Sequence, residues 1–214
     1  MTRLIIVRHG QSLANLNGIF AGRSDFDLTD LGHEQADLVG EYLSKKENID
    51  VIYSSDLLRA YNTAVPTSRL IGVPIIKDPS LREIDGGLWD GLNVSEIAKR
   101  YPEALDRWIN DFSSAVCTGG ESISDVYLRA VPHICELSCA NNGKTVLITT
   151  HAIVAKSFNA YSLGFSETEV GRSPDIKNAS INIYEMDGAR VLSTAFGITE
   201  HLGSALANRT KFNA

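Results

Sequence analysis

The feature that most constrains this chain lies at its start, where four consecutive aliphatic residues, 4–7, run directly into Arg8, His9 and Gly10. A short apolar run that is rich in β-branched residues predicts a strand buried on both faces, as in parallel sheets covered by helices. Arg8 and His9 then lie at the carboxyl end of that strand, the edge of an open α/β sheet where ligands bind. Gly10 is expected to let the chain turn and to leave room for a ligand beside His9.

A second segment has the same form. Residues 144–152 contain another buried-strand run that ends in a histidine, His151, and residues 153–163 predict the helix that follows it. If His151 lies at the turn between them, the helix N-terminus adds backbone N–H groups and a positive dipole end to the same crevice. Two histidines, one arginine and a helix start therefore predict an anion site.

Strand and helix patterns alternate along the rest of the chain. Thr29 is expected to cap a helix that runs to about Lys46, and Pro66 is expected to kink or break the next helix. Further strands are predicted at 50–55 and 73–76, helices at 57–70 and 123–140, and a hairpin from 181–184 and 191–195. This alternation predicts an α/β fold, a three-layer α/β/α sandwich with a mostly parallel central sheet.

Two local expectations concern the predicted sheet edge. Residues 15–26 are expected to form a loop, in which Asn15 is either a polar ligand or a plain turn residue. Arg59 falls in the first turn of a helix that Ser55 or Asp56 is expected to cap. A cation at the start of a helix is repelled by the positive end of the helix dipole, unless a bound anion lies between the two. Arg59 is therefore either an anion-binding residue or a solvated arginine on the surface.

Residues 83–121 contain short helical patterns but no good strand, and they predict a small helical cap inserted over the sheet edge. The length of 214 residues and the 43% hydrophobic content suit a single domain, 1–214, with this insertion. Trp108 and Phe112, four residues apart, are expected to pack the cap onto the body. From about residue 203 the tail is polar and is expected to be loose.

The formal net charge of −6 argues against nucleic acid or an anionic membrane as the main partner. The N-terminal apolar run is too short for a membrane span or a signal peptide. The three cysteines are odd in number and form no Cys-x-x-Cys pair, which suits a reducing compartment. These observations predict a cytoplasmic protein with no nucleic-acid or membrane partner.

Several ordered motifs resemble the histidine phosphatase superfamily, which includes the cofactor-dependent phosphoglycerate mutases. The segment 8–15, Arg-His-Gly-Gln-Ser-Leu-Ala-Asn, is similar to the family's Arg-His-Gly-x-Thr/Ser-x-x-Asn. Further matches are 22–25, 28–29 with Gly32, 54–60, 63–64, 81–84, 120–122 and 150–151. The resemblance covers almost the whole chain, and it favours functional interpretations of Arg59 and Asn15.

The resemblance implies a role for each site residue. His9 resembles the nucleophile that becomes phosphohistidine, and Glu83 resembles the general acid. The phosphoryl oxygens would be held by Arg8, Asn15, Arg59, His151 and the backbone N–H of Ala152, which stands where the family often has glycine. No metal and no cofactor is implied.

The chemistry suits these residue types. A transferring phosphoryl group spreads charge over three oxygens, which two permanently charged arginines can balance. His9 can attack only when neutral, and we expect neighbouring Arg8 to lower its pKa. Glu83 must be protonated to act as an acid on the leaving oxygen and then ionised to accept a proton from water, so a raised pKa would help.

The segment after Glu83 resembles the phosphatase branch more than the mutase branch, although Gly86 replaces an aromatic residue there, a loss expected to open the pocket or loosen its loop. We therefore expect a phosphohydrolase acting on a small phosphorylated metabolite, with a phosphoglycerate mutase as the alternative. The sequence leaves oligomeric state open, and a homodimer is compatible with it.

A metalloenzyme using His9, Glu83 and His151 is disfavoured because two arginines would repel a dication. A non-enzymatic phosphate sensor is disfavoured because it would need neither His9 nor Glu83.

Overall fold

The computed structural model describes residues 1–203. The strands are β1 Thr2–Arg8, β2 Val51–Ser54, β3 Ile75–Lys77, β4 Thr145–Thr150, β5 Ile181–Asp187 and β6 Arg190–Ile198. The α-helices are α1 Leu13–Asn17, α2 Asp30–Lys46, α3 Leu58–Ile71, α4 Val94–Arg100, α5 Pro102–Asn110, α6 Ile123–Ala140 and α7 Ala152–Ser162. The loose tail predicted after residue 203 lies outside the described residues.

The strands form one sheet in the order β3-β2-β4-β1-β5-β6. Strands β1, β2, β3 and β4 pair in parallel, whereas β5 and β6 are antiparallel to their neighbours. The predicted α/β fold with a mostly parallel sheet is confirmed. The antiparallel pair is the predicted hairpin, with longer strands than the sequence pattern indicated.

Helices cover both faces of the sheet because side chains alternate along its central strands. On one face, Leu4 and Ile6 of β1 pack in a core with residues of α6 and α7. On the other face, Ile5 and Val7 pack in a core with residues of α2 and α3. A strand buried on both sides needs a continuous aliphatic run, which explains why residues 4–7 lack polar alternation.

The parallel strands end at one edge, and their register sets the site. Arg8 pairs with Thr150 across β1 and β4, and the His9 N–H donates to the Thr150 carbonyl at 2.9 Å. A Cβ on Gly10 would lie 2.5 Å from the Gly32 carbonyl oxygen. Close backbone packing against the start of α2 therefore excludes a side chain at Gly10, in addition to the turn that the sequence suggested.

Helix α3 corrects two local predictions. Its N-terminal flanking residue is Leu57, which has no capping side chain, and the Leu58 N–H instead donates to Asp25 Oδ1 at 2.7 Å. The predicted capping by Ser55 or Asp56 is therefore wrong, because a residue from a distant loop satisfies the helix start. Pro66 lies inside α3 without ending it. It packs against Gly40 of α2, so tertiary contact compensates for the lost helix hydrogen bond.

The predicted loop at 15–26 is partly helical, because α1 includes Asn15 and begins with a capping box at Ser12. Helices α4 and α5 fall within the predicted cap region and no strand does. Trp108 of α5 contacts Phe20 and Phe112, with ring centroids 5.2 Å apart in each case. Trp108 thus packs the helical segment onto the loop that follows α1, as the sequence predicted.

Candidate active site

His9 lies just beyond β1 and is 4% exposed. Its Nδ1 is 2.7 Å from the Gly10 carbonyl oxygen, which can only accept, so Nδ1 carries the ring proton. Nε2 is then the unprotonated nitrogen. Burial is the largest cause that lowers the pKa of His9 well below its ordinary value, followed by the charges of Arg59 and Arg8. The sequence predicted this direction but attributed it to Arg8, whereas burial contributes more.

Two arginines are buried beside His9, and neither forms an ion pair with a carboxylate of the described residues. Arg8 is 2% exposed and Arg59 is 1% exposed. Arg8 donates to the Ile176 carbonyl, and Arg59 donates to the carbonyls of Gly22 at 2.7 Å and Ser24 at 2.9 Å. Burial lowers the pKa of Arg8 to about 10 and lowers that of Arg59. Two buried cations with neutral partners make a site that favours an anion.

Each of these arginines also has a buried Nε–H without a hydrogen-bond partner among the described residues. A buried donor normally has a partner, because leaving it unsatisfied costs about 1–3 kcal/mol. A phosphoryl group has oxygens that match forked guanidinium donors. The unsatisfied donors therefore fit the interpretation of Arg59 as a ligand-binding residue, and the structure does not place it on the solvated surface.

Glu83 is the buried carboxyl group of the site and is 7% exposed. Its Oε1 accepts N–H bonds from Ile84 at 3.0 Å and from Ile153, in the first turn of α7, at 3.2 Å. Burial raises the pKa of Glu83 above its ordinary value, although those N–H groups and the two arginines oppose the shift. The direction is the one that the sequence required of a general acid.

His151 is fully buried at the N-cap of α7, and its ring centroid is 5.2 Å from that of His9. Its Nε2 lies 2.8 Å from Ser55 Oγ, and its Nδ1 is buried without a partner among the described residues. Burial is the main cause that lowers the pKa of His151, so the ring is neutral. Ser55, which the sequence suggested only as a helix cap, instead orients this histidine.

The site opens into a pocket with an empty volume of about 460 Å³, its open mouth included. The predicted residues that line it are Arg8, His9, Asn15, Arg59 and Glu83, and the others are Ser12, Ile19, Phe20, Ala21, Gly22, Ile84, Trp108 and Ile153. His151 lies against His9 and does not line the pocket. Ala152, the first residue of α7, also lies outside the lining, whereas Ile153 belongs to it.

Asn178 and Ala179 are residues that sequence reasoning missed. Asn178 is 2% exposed, and its Nδ2 donates to the carbonyls of His9 at 3.0 Å and Gly10 at 3.2 Å, and to Asn15 Oδ1 at 3.2 Å. The Ala179 N–H bonds the carbonyls of Arg8 and His9. Ala179 has φ 55°, a left-handed conformation that costs a non-glycine residue about 1–3 kcal/mol. No local pattern before β5 could have indicated these contacts.

Asn15 has a defined amide orientation. Its Oδ1 accepts from the N–H and the O–H of Ser12, both at 3.1 Å, and from Asn178. All three donors use the oxygen, so the Nδ2 hydrogens remain for the pocket that Asn15 lines.

The space at Gly86 is filled. A Cβ at this position would lie 1.9 Å from Asp90 Oδ1 and 2.8 Å from Cε1 of Phe20. Phe20 packs edge-on against Trp89, with ring centroids 5.4 Å apart. The expectation that Gly86 opens the pocket or loosens its loop is therefore wrong, because the carboxyl of Asp90 and the ring of Phe20 occupy the space.

Comparison with known proteins agrees with this geometry. The family model of the histidine phosphatase superfamily, branch 1, matches residues 4–199. Phosphoserine phosphatase 1 of Hydrogenobacter thermophilus is 34% identical over 203 residues, 95% of each chain. A 2,3-bisphosphoglycerate-dependent phosphoglycerate mutase of Methylocella silvestris is 38% identical over 155 residues, 69% of this chain and 75% of that protein. The structure of a mycobacterial glucosyl-3-phosphoglycerate phosphatase complexed with VO3 superposes with a TM-score of 0.83 at 30% identity, covering 92% of this chain and 99% of that one.

Fold, site and similarity together define the class of protein as a phosphatase with a histidine at its centre. The chain belongs to the histidine phosphatase superfamily, branch 1. The family and the enzyme class predicted from the motifs are confirmed, and the mutase alternative also occurs among the relatives. Within residues 1–203, no helix has the length and apolar character needed to cross a membrane.

Proposed function

We propose that this chain hydrolyses small phosphate monoesters through a covalent phosphohistidine on His9. The observation that carries the proposal is the unprotonated Nε2 of a neutral His9 that shares its pocket with two buried arginines, neither of which has a carboxylate partner among the described residues. Such a site combines a nucleophile with fixed positive charge. The predicted metabolite partner belongs to this proposal, whereas the cytoplasmic location, the homodimer and the single-domain organisation stay predictions.

The reaction has two displacements at phosphorus. First, the lone pair on His9 Nε2 forms the N–P bond while the P–O ester bond breaks, and Glu83 transfers its proton to the departing alcohol oxygen. Water then attacks phosphorus and gives a proton to Glu83, while the N–P bond breaks and returns its electron pair to Nε2. Glu83 is protonated again at the end, so each cycle restores the starting site.

The remaining predicted residues hold the phosphoryl oxygens in this proposal. Arg8 and Arg59 balance the transition-state charge, and the free amide hydrogens of Asn15 add neutral donors. Ser55 Oγ accepts from the Leu57 N–H, so its own proton can be donated to His151 Nε2, which leaves a proton on Nδ1 for a phosphoryl oxygen. The Ala152 N–H stays a predicted helix-start donor, because Ala152 begins α7 but does not line the described pocket.

Phosphate release from 4-nitrophenyl phosphate is expected to be unchanged by excess EDTA. The positive charge of the proposed site comes from Arg8 and Arg59, which repel a dication. A colorimetric phosphate assay before and after chelation measures this. Loss of activity on chelation, restored by zinc or manganese, would contradict the phosphohistidine mechanism and favour the metalloenzyme.

The same preparation distinguishes hydrolysis from mutase activity. With 2,3-bisphosphoglycerate and 3-phosphoglycerate present, a phosphatase forms little 2-phosphoglycerate, and any phosphoryl group that it removes from them is released as inorganic phosphate. Efficient formation of 2-phosphoglycerate would instead identify a mutase with the same first half-reaction.

Asn178→Ala is expected to lower kcat roughly 10- to 100-fold, because small displacements of a reacting group are costly. Asn178 bonds the Gly10 carbonyl that fixes the His9 tautomer, and it also bonds Asn15. We therefore propose it as a positioning residue. Steady-state kinetics across pH should also show a shift of the acidic limb, which reports His9.

Asn182→Ala is the matched control for this variant. Asn182 is a buried asparagine of β5 that bonds the Ile6 carbonyl and the Gly197 N–H, away from the pocket. Both variants are expected to lose stability, as thermal unfolding will show. Equal kcat values and unshifted pH profiles in the two variants would reduce Asn178 to a structural residue.

A further inference from the structure

The pocket has two chemically different parts. The phosphate end holds Arg8, His9 and Arg59, together with polar groups of Ser12 and Asn15. Apart from Glu83 and Gly22, the rest of the lining is apolar and consists of Ile19, Phe20, Ala21, Ile84, Trp108 and Ile153. We call these six residues the apolar wall; it is the surface available to the alcohol part of a monoester whose phosphoryl group faces His9.

Arg8 and Arg59 are the cations that line the described pocket, and the phosphoryl group uses both. Two cations outside this lining are held in ion pairs. Arg23 pairs with Asp85 at 3.1 Å and Glu121 at 3.3 Å, and Lys156 pairs with Asp175 at 2.8 Å.

Two arginines of the helical segment also lie elsewhere. Arg100 and Arg107 line a separate cavity with Tyr101 and Glu103, outside the pocket that contains His9. Arg8 and Arg59 are the cations in the lining of the described pocket, so a carboxylate on the alcohol part of a substrate meets no further cation in that lining, and burying an unpaired carboxylate is costly.

Gly86, which stands where the phosphatase branch has an aromatic residue, contributes to this wall. Phe20 lines the pocket and its Cε1 would be 2.8 Å from a Cβ at position 86. The ring also contacts Trp108, which forms another part of the wall. Because Gly86 has no side chain, the Phe20 ring has room to pack beside Trp108, and the two rings form an aromatic part of the wall.

We infer that the substrates of this enzyme are phosphate monoesters of uncharged, mainly apolar or aromatic alcohols, and that monoesters carrying a carboxylate are poor substrates. The inference rests on the proposed function. It separates this chain from the relatives whose names specify phosphoserine, phosphoglycerate and glucosyl-3-phosphoglycerate. Its basis is the apolar wall and the lining of the described pocket, in which Arg8 and Arg59 are the cations.

The test compares substrates that differ only in the carboxylate. n-Pentyl phosphate and 5-phosphonooxypentanoate have chains of the same length and similar leaving oxygens. The neutral ester is expected to have a kcat/KM at least about 10-fold higher, because the carboxylate is desolvated without a partner. Phosphoserine and 3-phosphoglycerate extend the comparison and should resemble 5-phosphonooxypentanoate. Equal or higher kcat/KM for the carboxylate-bearing esters would overturn the inference.

Ile19→Arg tests the wall directly, because it places a cation among the apolar lining residues. It is expected to move the kcat/KM ratio of the two esters at least about 10-fold toward 5-phosphonooxypentanoate. Leu88→Arg is the matched control, since Leu88 is 58% exposed and does not line the pocket. An equal change of the ratio in both variants would show a general charge effect and contradict the assignment of the wall.

Failure of the inference and failure of the proposed function give different results. Hydrolysis of every ester without preference, or with preference for carboxylates, overturns the substrate class and keeps the phosphatase. No hydrolysis of any monoester, including 4-nitrophenyl phosphate, overturns both. If Ile19→Arg does not fold, the wild-type comparison of the matched esters decides alone.

Discussion

Replacing His9 by alanine is expected to abolish the covalent intermediate and lower kcat by roughly 10³-fold or more, as loss of a covalent nucleophile does in other enzymes. His9 Nε2 is the free nitrogen of a buried neutral ring. Rapid quench of the wild type with phosphorus-labelled substrate into alkali should trap label on His9. The label should be released in acid, because a phosphoramidate N–P bond is acid-labile.

His133→Ala is the control for this experiment. His133 is also a histidine, but it pairs with Asp78 and Glu136 at a distance from the pocket. That variant should trap label as the wild type does. Label on a residue other than His9, or undiminished turnover in His9→Ala, would contradict the covalent mechanism.

Glu83→Gln is expected to lower kcat/KM for an alkyl phosphate by roughly 10²- to 10⁴-fold, the usual contribution of general acid catalysis. An alkoxide is a poor leaving group and needs the proton. For 4-nitrophenyl phosphate the first displacement should be nearly unaffected, because nitrophenolate leaves without protonation. The second displacement still lacks its base, so a burst of nitrophenol and accumulation of phosphohistidine are expected in stopped-flow and quench measurements.

The pH dependence follows from the two opposite pKa shifts. Burial lowers the pKa of His9, so the neutral nucleophile persists below pH 6.5 and activity falls as pH drops through the shifted pKa. Burial raises the pKa of Glu83, so the acid form persists above pH 4.5 and kcat/KM for an alkyl phosphate falls as pH rises through that pKa.

In Glu83→Gln, kcat/KM for the alkyl phosphate should no longer fall at high pH, the alkaline limb of the profile, but should still fall at low pH, the acidic limb. Ionisation of the substrate is common to both enzymes and cancels in the comparison. Glu136→Gln, at an exposed carboxylate, should keep both limbs. An alkaline limb that is unchanged in Glu83→Gln would remove Glu83 from the acid role.

Much of the fold follows from local patterns. The aliphatic runs before Arg8 and before Thr150 predicted two buried parallel strands, because a strand covered by helices on both faces admits no polar alternation. Their carboxyl ends placed His9 and His151 at one edge, and the motif resemblance added Arg59 and Glu83. Local sequence was less informative where a residue distant in the chain takes the place of a neighbouring one. Asp25, for example, accepts the N–H at the start of α3, where the sequence predicted a cap from Ser55 or Asp56.

The sequence by itself determined the architecture, the family and the chemical identity of the central residues, because strand periodicity and motif residues are encoded locally. Only the tertiary structure decided how those residues are held. Asn178 reaches back across the chain to His9 and Asn15, and Arg59 is oriented by the carbonyls of Gly22 and Ser24. Such contacts join residues far apart in the chain, and backbone carbonyls occur at every residue, so neither leaves a local sequence pattern. The apolar wall is likewise assembled from side chains of separate elements, which only the packing of the folded chain brings together.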